Sequence, residues 1–317
     1  MDWLGTALDG PLVVIRAMHF AATAMTTGTL IFRALVVEPA AWSAKPVAAI
    51  VRAQTLRVAW IGLAISVVSG LIWFLLEAAS MSGLSLEEST TSDVLFTVAN
   101  ETQFGRVAEI RCVLAVVLVG CLALDGFPSA RGLALAMSLG LIAAIAWTGH
   151  AGSTVGEMGF LHLSADALHL VAAAVWIGGL ASLVMLLSVA RRDQTNAGMS
   201  FAREATQRFS TVGIAIVVTV FATGLVNAWI LVGSVHALIA TGYGQLLMLK
   251  VALFAVMLLF AAANRFWLTP RLALSSASKI EVLRQLVRNS TIEIALALMI
   301  FAIVGVLGTL HPAIHAS

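Results

Sequence analysis

The sequence predicts an all-α polytopic membrane protein of eight transmembrane helices, built as two four-helix repeats. Three observations predict it. Of 317 residues, 60% are hydrophobic and 11% are charged, whereas a soluble domain carries roughly 25% charged residues. The apolar runs are long enough to cross a bilayer, and the two halves share one order of polar residues.

A crossing helix needs about 20 mostly apolar residues at about 1.5 Å rise each. Runs of that kind occur near 11–32, 58–78, 106–124, 132–149, 163–189, 210–232, 244–263 and 290–310. The first is expected to stay as a helix, because Met1 to Gly10 carries Asp2 and Asp9, has no Lys or Arg, and is not followed by an A-x-A-like site. Cys112 and Cys121 fall inside one apolar run and are read as packing residues rather than a disulfide or a metal pair.

The connections alternate in charge. Arg33, Lys45, Arg52 and Arg57 lie between spans one and two, and Arg131 between three and four. Arg191, Arg192, Arg203 and Arg208 lie between five and six, and Arg265, Arg271, Lys279, Arg284 and Arg288 between seven and eight. The remaining connections have almost no Lys or Arg, and 79–105 is acidic. The positive-inside rule then places the basic loops in the cytoplasm and both termini outside.

The halves, 1–152 and 153–317 of one membrane domain, align by spacing. Arg16-Ala17-Met18-His19 followed by Gly28 corresponds to Asp166-Ala167-Leu168-His169 followed by Gly178. Phe104-Gly105 with Arg111 corresponds to Tyr243-Gly244 with Lys250, and His150 to His311. Chance similarity between Ala- and Leu-rich helices is common; the shared order of ionisable residues favours duplication. Each half has an even number of spans, so the implied symmetry axis runs along the membrane normal, with a site at the repeat interface.

Histidines carry the chemistry. His150, His162, His169, His236, His311 and His315 map to outer loops or outer helix ends, and His19 lies about 12 Å inside span one. His162, Asp166 and His169 are spaced to share one helical face. Imidazole and carboxylate together suit Cu(II), Zn(II) or a proton relay, although a capped helix with headgroup-level histidines accounts for the same triplet. Arg16, Glu109, Arg111 and Lys250 fall within spans, where a charge at the bilayer centre costs roughly 3 kcal/mol and usually faces a cavity or a partner. Arg111 and Lys250 are expected to face the interior, paired with Glu109, Asp166 or an anionic ligand. Met18, Met25, Met158 and Met248 also fall on the outer side; thioether suits Cu(I), and packing alone explains each singly. There is no Walker loop, HExxH or CxxC, so enzymatic chemistry is not expected.

Arg16-x-x-His19 with Gly28 and Phe32, Gly149-His150-Ala151-Gly152 closing span four, and Asp166-x-x-His169 running into Trp176-Ile177-Gly178-Gly179-Leu180 together resemble the copper resistance protein D (CopD) family of bacterial inner-membrane proteins. The motifs are short; their order over the whole chain carries the resemblance. It implies copper handling at the periplasmic face, copper movement into the cytoplasm, and a small periplasmic copper carrier of the CopC type as partner. The expected copper site uses His19, His150 and His169 first, with His162, Asp166 and Met18 as second choices and His311 as a further ligand. The alternatives are a b-type haem held by His19 and His169, with Arg111 and Lys250 on its propionates, and a copper sensor or assembly partner without transport. Beyond copper and the lipid bilayer no nucleic-acid partner is expected.

Overall fold

The computed structural model describes residues 9–41, 45–193, 195–272 and 276–315. Among them are eight helices of 16 to 38 residues: α1 (Asp9–Phe32), α2 (Lys45–Ser82), α3 (Gln103–Ala123), α4 (Pro128–Ala143), α5 (Gly156–Asp193), α6 (Asn196–Val232), α7 (Gly242–Ala263) and α8 (Ser276–Leu307). No strand occurs among the described residues. Seven of the eight lie in stretches long and apolar enough to cross a membrane. The eighth, α3, has 21 residues but carries Arg106, Glu109 and Arg111 in its first half.

Several helices overrun the apolar stretches that announce them. α2 begins at Lys45, α6 at Asn196 and α8 at Ser276, so α2 extends about 20 Å beyond the apolar run that starts near residue 58. Hydropathy marks the lipid-facing part of a helix, while backbone hydrogen bonding continues past it. These extensions bury a core of their own, in which Ala48, Val51, Ala190, Phe201, Ala205 and Leu283 are fully enclosed. This end of the bundle carries the basic connections and is called the basic end; the opposite end carries the histidines.

α1 and α5 form the centre: 72% and 61% of their most apolar stretches are buried, against 6% for α7. They meet at Gly28 and Gly178. A Cβ on Gly178 would stand 2.7 Å from the Cα of Gly28, and one on Gly28 would stand 2.8 Å from the Cα of Gly178. Small residues let membrane helices approach until their backbones touch, which supplies the dispersion contact that replaces a hydrophobic drive in lipid. His19 and His169 each lie nine residues before their glycine, about 13.5 Å toward the histidine end.

Two wide π-turns, Arg33–Val37 and Asn264–Leu268, leave α1 and α7 at the basic end. Each runs into a proline, Pro39 and Pro270, which has no N–H for the carbonyl a turn back. The first turn aims Arg33 inward, where it donates to both oxygens of Asp125 at 2.8 and 2.9 Å. Glu38 bridges Arg33, Arg52 and Arg131. At the histidine end α3 and α7 start alike. Thr102 and Thr241 accept from the N–H of Gly105 and Gly244 at 2.9 and 3.0 Å. A side chain at either glycine would strike the backbone of the short helix before it, Ser92–Glu101 or Val235–Ala240.

Candidate functional site

Three histidines share one local device. Ser69 on α2 donates its hydroxyl to the carbonyl of Ile65 at 2.6 Å and lies 3.0 Å from Nδ1 of His19. With its one proton committed, the hydroxyl accepts, so Nδ1 of His19 carries the hydrogen. Thr223 on α6 donates to the carbonyl of Thr219 at 2.5 Å and accepts from Nδ1 of His169 at 3.0 Å. Thr154, before α5, donates to the carbonyl of His150 at 3.1 Å and accepts from Nδ1 of His162 at 2.9 Å. A neutral imidazole held in this way has its lone pair on Nε2. An imidazole whose other nitrogen is tied down in this way is oriented as a metal ligand usually is. The residue after the α2 or α6 hydroxyl is glycine, and it makes room for the ring: a Cβ on Gly70 would lie 3.1 Å from Cε1 of His19, and one on Gly224 3.5 Å from Cε1 of His169.

The fates of the lone pairs differ. Nη2 of Arg111 on α3 contacts Nε2 of His19. Arginine only donates, so that lone pair is engaged. Nε2 of His162 and of His169 has no hydrogen-bond partner among the described residues.

His162 and His169 line a cavity of about 150 Å³ together with His150, Asp166, Lys250 and Arg16. It lies between α1, α5, α6, α7, the end of α8 and the segment that follows α4. Asp166 is held by Asn227, whose Nδ2 donates to Oδ1 at 3.0 Å, while Oδ1 of Asn227 is buried without a partner. Tyr243 packs edge-on to His150 at 6.2 Å. Two groups also close the C-terminal end of α8: Nε2 of His150 approaches the carbonyl of Leu307 at 3.4 Å, and Arg16 donates to that of Gly308 at 2.9 Å. These carbonyls have no intrahelical donor.

The structure therefore brings together His150, His162, Asp166 and His169, and places the other expected ligands elsewhere. His19 lines a separate, mostly apolar cleft of about 570 Å³ with Arg111, Trp73 and Phe104. Met18 is 41% exposed and lines neither cavity. His311 and His236 are exposed, and the side chain of His315 lies outside the described ones. Among the described residues no three His, Cys, Asp or Glu side chains converge closely enough to enclose a metal ion. Spacing explains this along α5: residues 162 and 169 are about 10.5 Å apart along the axis, with Asp166 one turn from each.

The pairing of Arg111 with Glu109 requires correction. Residues two apart point about 200° away from each other around a helix, so Arg111 is buried and Glu109 exposed. The partner of Arg111 is His19, and its Nη1 is buried without one. Lys250 lines the cavity of Asp166, but no ion pair within 4 Å joins them among the described residues. The two basic side chains do not share a cavity. Sequence reasoning missed Ser69, Thr154 and Thr223. For two of them a signal was present, since Ser69-Gly70 and Thr223-Gly224 each place a hydroxyl followed by a glycine in the second helix of a half.

Comparison with known proteins identifies the relatives of this architecture. The family model described as copper resistance protein D-like, N-terminal domain, matches residues 7–160, and the one described as copper resistance protein D matches residues 203–307. Copper resistance protein D of Pseudomonas syringae pv. tomato is 32% identical over 268 residues, 81% of this chain and 83% of that protein. The inner membrane protein YebZ of Escherichia coli K12 is 28% identical over 247 residues, 76% of this chain and 82% of that protein. The copper transport protein CutJ of Bacillus subtilis 168 is 37% identical over 125 residues, 39% of this chain and 22% of that protein. The chain is a helical membrane protein that belongs to the copper resistance protein D family.

Proposed function

We propose that this protein takes up copper at the histidine end of the bundle and passes it toward the basic end as a carrier rather than an enzyme. The observation that carries the reading is the row His162, Asp166 and His169 on one face of α5, opening on one cavity. Its two imidazoles are oriented by threonines, with Nε2 lone pairs unengaged. Imidazole nitrogen serves both copper oxidation states. With about one helical turn between neighbours, the three groups act as successive stations and not as one chelate. Lys250 in the same cavity opposes a cation that shares Asp166 with it. Weak, serial sites suit passage, because a transported ion must leave as readily as it enters.

In this reading α3 is the eighth span, the basic loops face the cytoplasm, both termini lie in the periplasm, and the membrane is the bacterial inner membrane. The cargo arrives from a small periplasmic copper carrier of the CopC type at the mouth formed by His150 and His162. The names of the relatives from Pseudomonas, Escherichia and Bacillus support copper handling and an inner-membrane setting.

The test is copper content of the purified protein and copper entry into proteoliposomes. Replacing His162 and His169 together with Ala is expected to abolish both. Wild-type copper content in that variant refutes the assignment. Absorbance in the Soret region of the pigment-bearing protein replaces copper by the haem reading, and binding without entry replaces the carrier by a sensor or assembly partner. Labelling of cysteines placed between 191 and 208 from the periplasmic side refutes the orientation.

A further inference from the structure

A second ionisable group lies buried far from the histidines. Glu293 on α8 is 1% exposed and lines a cavity of about 480 Å³ toward the basic end, with Trp176, Ser210, Asn264, Arg265 and Ser290. Its carboxylate has two neutral donors. Nδ2 of Asn264 reaches Oε1 at 2.8 Å, and Nε1 of Trp176 reaches Oε2 at 3.4 Å. The orientation of Asn264 is set by Asn289, whose Nδ2 donates to its Oδ1 at 2.9 Å. No cation lies within ion-pair distance of Glu293 among the described residues. Arg265 is the other charged side chain lining this cavity, and it is committed to the carbonyl and hydroxyl of Ser210 at 2.5 and 2.7 Å. Ser290, one turn before Glu293 on the same face and 1% exposed, has a hydroxyl with no partner.

A lone carboxylate in such surroundings must be neutralised, because the energy of an unpaired buried charge exceeds what two neutral hydrogen bonds return. A metal cation is a poor neutraliser here. Arg265 shares the cavity, and no thiolate, thioether or imidazole lines it. A proton needs one lone pair, and Oε2 has the long, weak hydrogen bond. We propose that Glu293 is a proton-binding site that exchanges with the solution at the basic end through this cavity. The carboxylate takes one proton to become a neutral acid, and the Ser290 hydroxyl, able both to accept and to donate, is the next member of the path. The site touches α5 through Trp176, seven residues beyond His169, so its protonation bears on the helix that carries the histidine row.

The proposal is independent of copper and its test uses no metal. The infrared spectrum of the purified protein in lipid at neutral pH is expected to show the C=O stretch of a neutral carboxylic acid. The band should move to lower frequency in D2O, vanish in Glu293→Gln and persist in Asp166→Asn. Absence of the band from the wild type, its persistence in Glu293→Gln, or its loss in Asp166→Asn overturns the proposal. Asn264→Leu keeps the test decisive should Glu293→Gln fail to fold. It removes the shorter hydrogen bond to the carboxyl group, so the band moves to higher frequency, and an unmoved band overturns the assignment.

Discussion

Arg111 donates into Nε2 of His19, and Ser69 accepts a hydrogen bond from Nδ1, so both nitrogens of that imidazole are engaged. His169, the residue at the same place in the other half, has the second of these contacts and not the first. Two histidines that spacing makes equivalent are therefore chemically distinct. One is a partner for a buried cation, and the other presents a lone pair to a polar cavity.

The His19–Arg111 contact predicts an asymmetry in stability. His19→Leu leaves a buried guanidinium without its partner and is expected to cost about 3 kcal/mol or more, since an unsatisfied buried charge is more costly than a lost neutral hydrogen bond. Arg111→Leu removes the charge itself and is expected to cost less than about 1 kcal/mol, because dispensing with a buried ion is often nearly neutral. The double variant should be more stable than His19→Leu alone. Thermal unfolding in detergent measures all three, and equal losses for the two single variants contradict the account.

The threonine props predict second-sphere effects on copper. Thr223→Val and Thr154→Val remove the acceptors that orient His169 and His162, and each is expected to weaken copper binding about 10- to 100-fold. Ser69→Ala acts on an imidazole whose lone pair is already engaged, so copper affinity should stay within about twofold of wild type. Equilibrium titration of purified protein distinguishes these outcomes, and a Ser69→Ala loss as large as that of Thr223→Val returns His19 to the ligand set.

The helix crossing predicts position-specific intolerance. Gly28→Ala and Gly178→Ala each push a methyl group into the backbone of the opposing helix, which cannot rotate away as a side chain does. A loss of about 2–3 kcal/mol is expected. Gly213 has open space around its Cβ position, so Gly213→Ala should be neutral or stabilising by up to about 1 kcal/mol through helix propensity. Matched melting curves of the three variants provide the comparison.

At the basic end, Asp125→Asn takes the bidentate carboxylate from Arg33, whose side chain is 8% exposed, and leaves it the Nε contact with Glu38. A cost of about 1.5–2 kcal/mol is expected. The Arg284–Glu281 pair is exposed on both sides at 65% and 52%, and Glu281→Gln should change stability by less than about 0.5 kcal/mol. A Glu281→Gln loss that equals the Asp125→Asn loss would contradict this ranking.

Much of this was legible in the sequence. The apolar runs near 11–32 and 163–189 became the two most buried helices, and the offsets of His162, Asp166 and His169 placed all three on one cavity. Periodicity sufficed because both properties are internal to a single helix. What stayed hidden depends on how helices are rotated against one another. Glu109 and Asp166 are the acids that the sequence offers Arg111, and its partner is instead His19 on α1. Ser69 and Thr223 look like any of the many hydroxyl residues of membrane helices until a histidine is seen to face them. Glu293 is the one charged residue in the run 290–310, but its neighbours Asn264 and Trp176 come from two other helices.

The contact between Gly28 and Gly178 joins the corresponding helix of each half at the corresponding residue, and so it lies where an axis relating the halves would pass. Backbones in direct contact there leave little freedom to separate and some freedom to swivel. Should one half rock against the other, this point is the fulcrum, and the helices act as crossed levers upon it. The histidine row, about 13.5 Å from it at His169, would move by about 1 Å for each few degrees of rotation. The projecting ends of α1 and α5 beyond the glycines would swing in the opposite sense. Because the two helices cross at that point, a change in their crossing angle spreads or closes their ends at the mouth and at the far side together, as one motion.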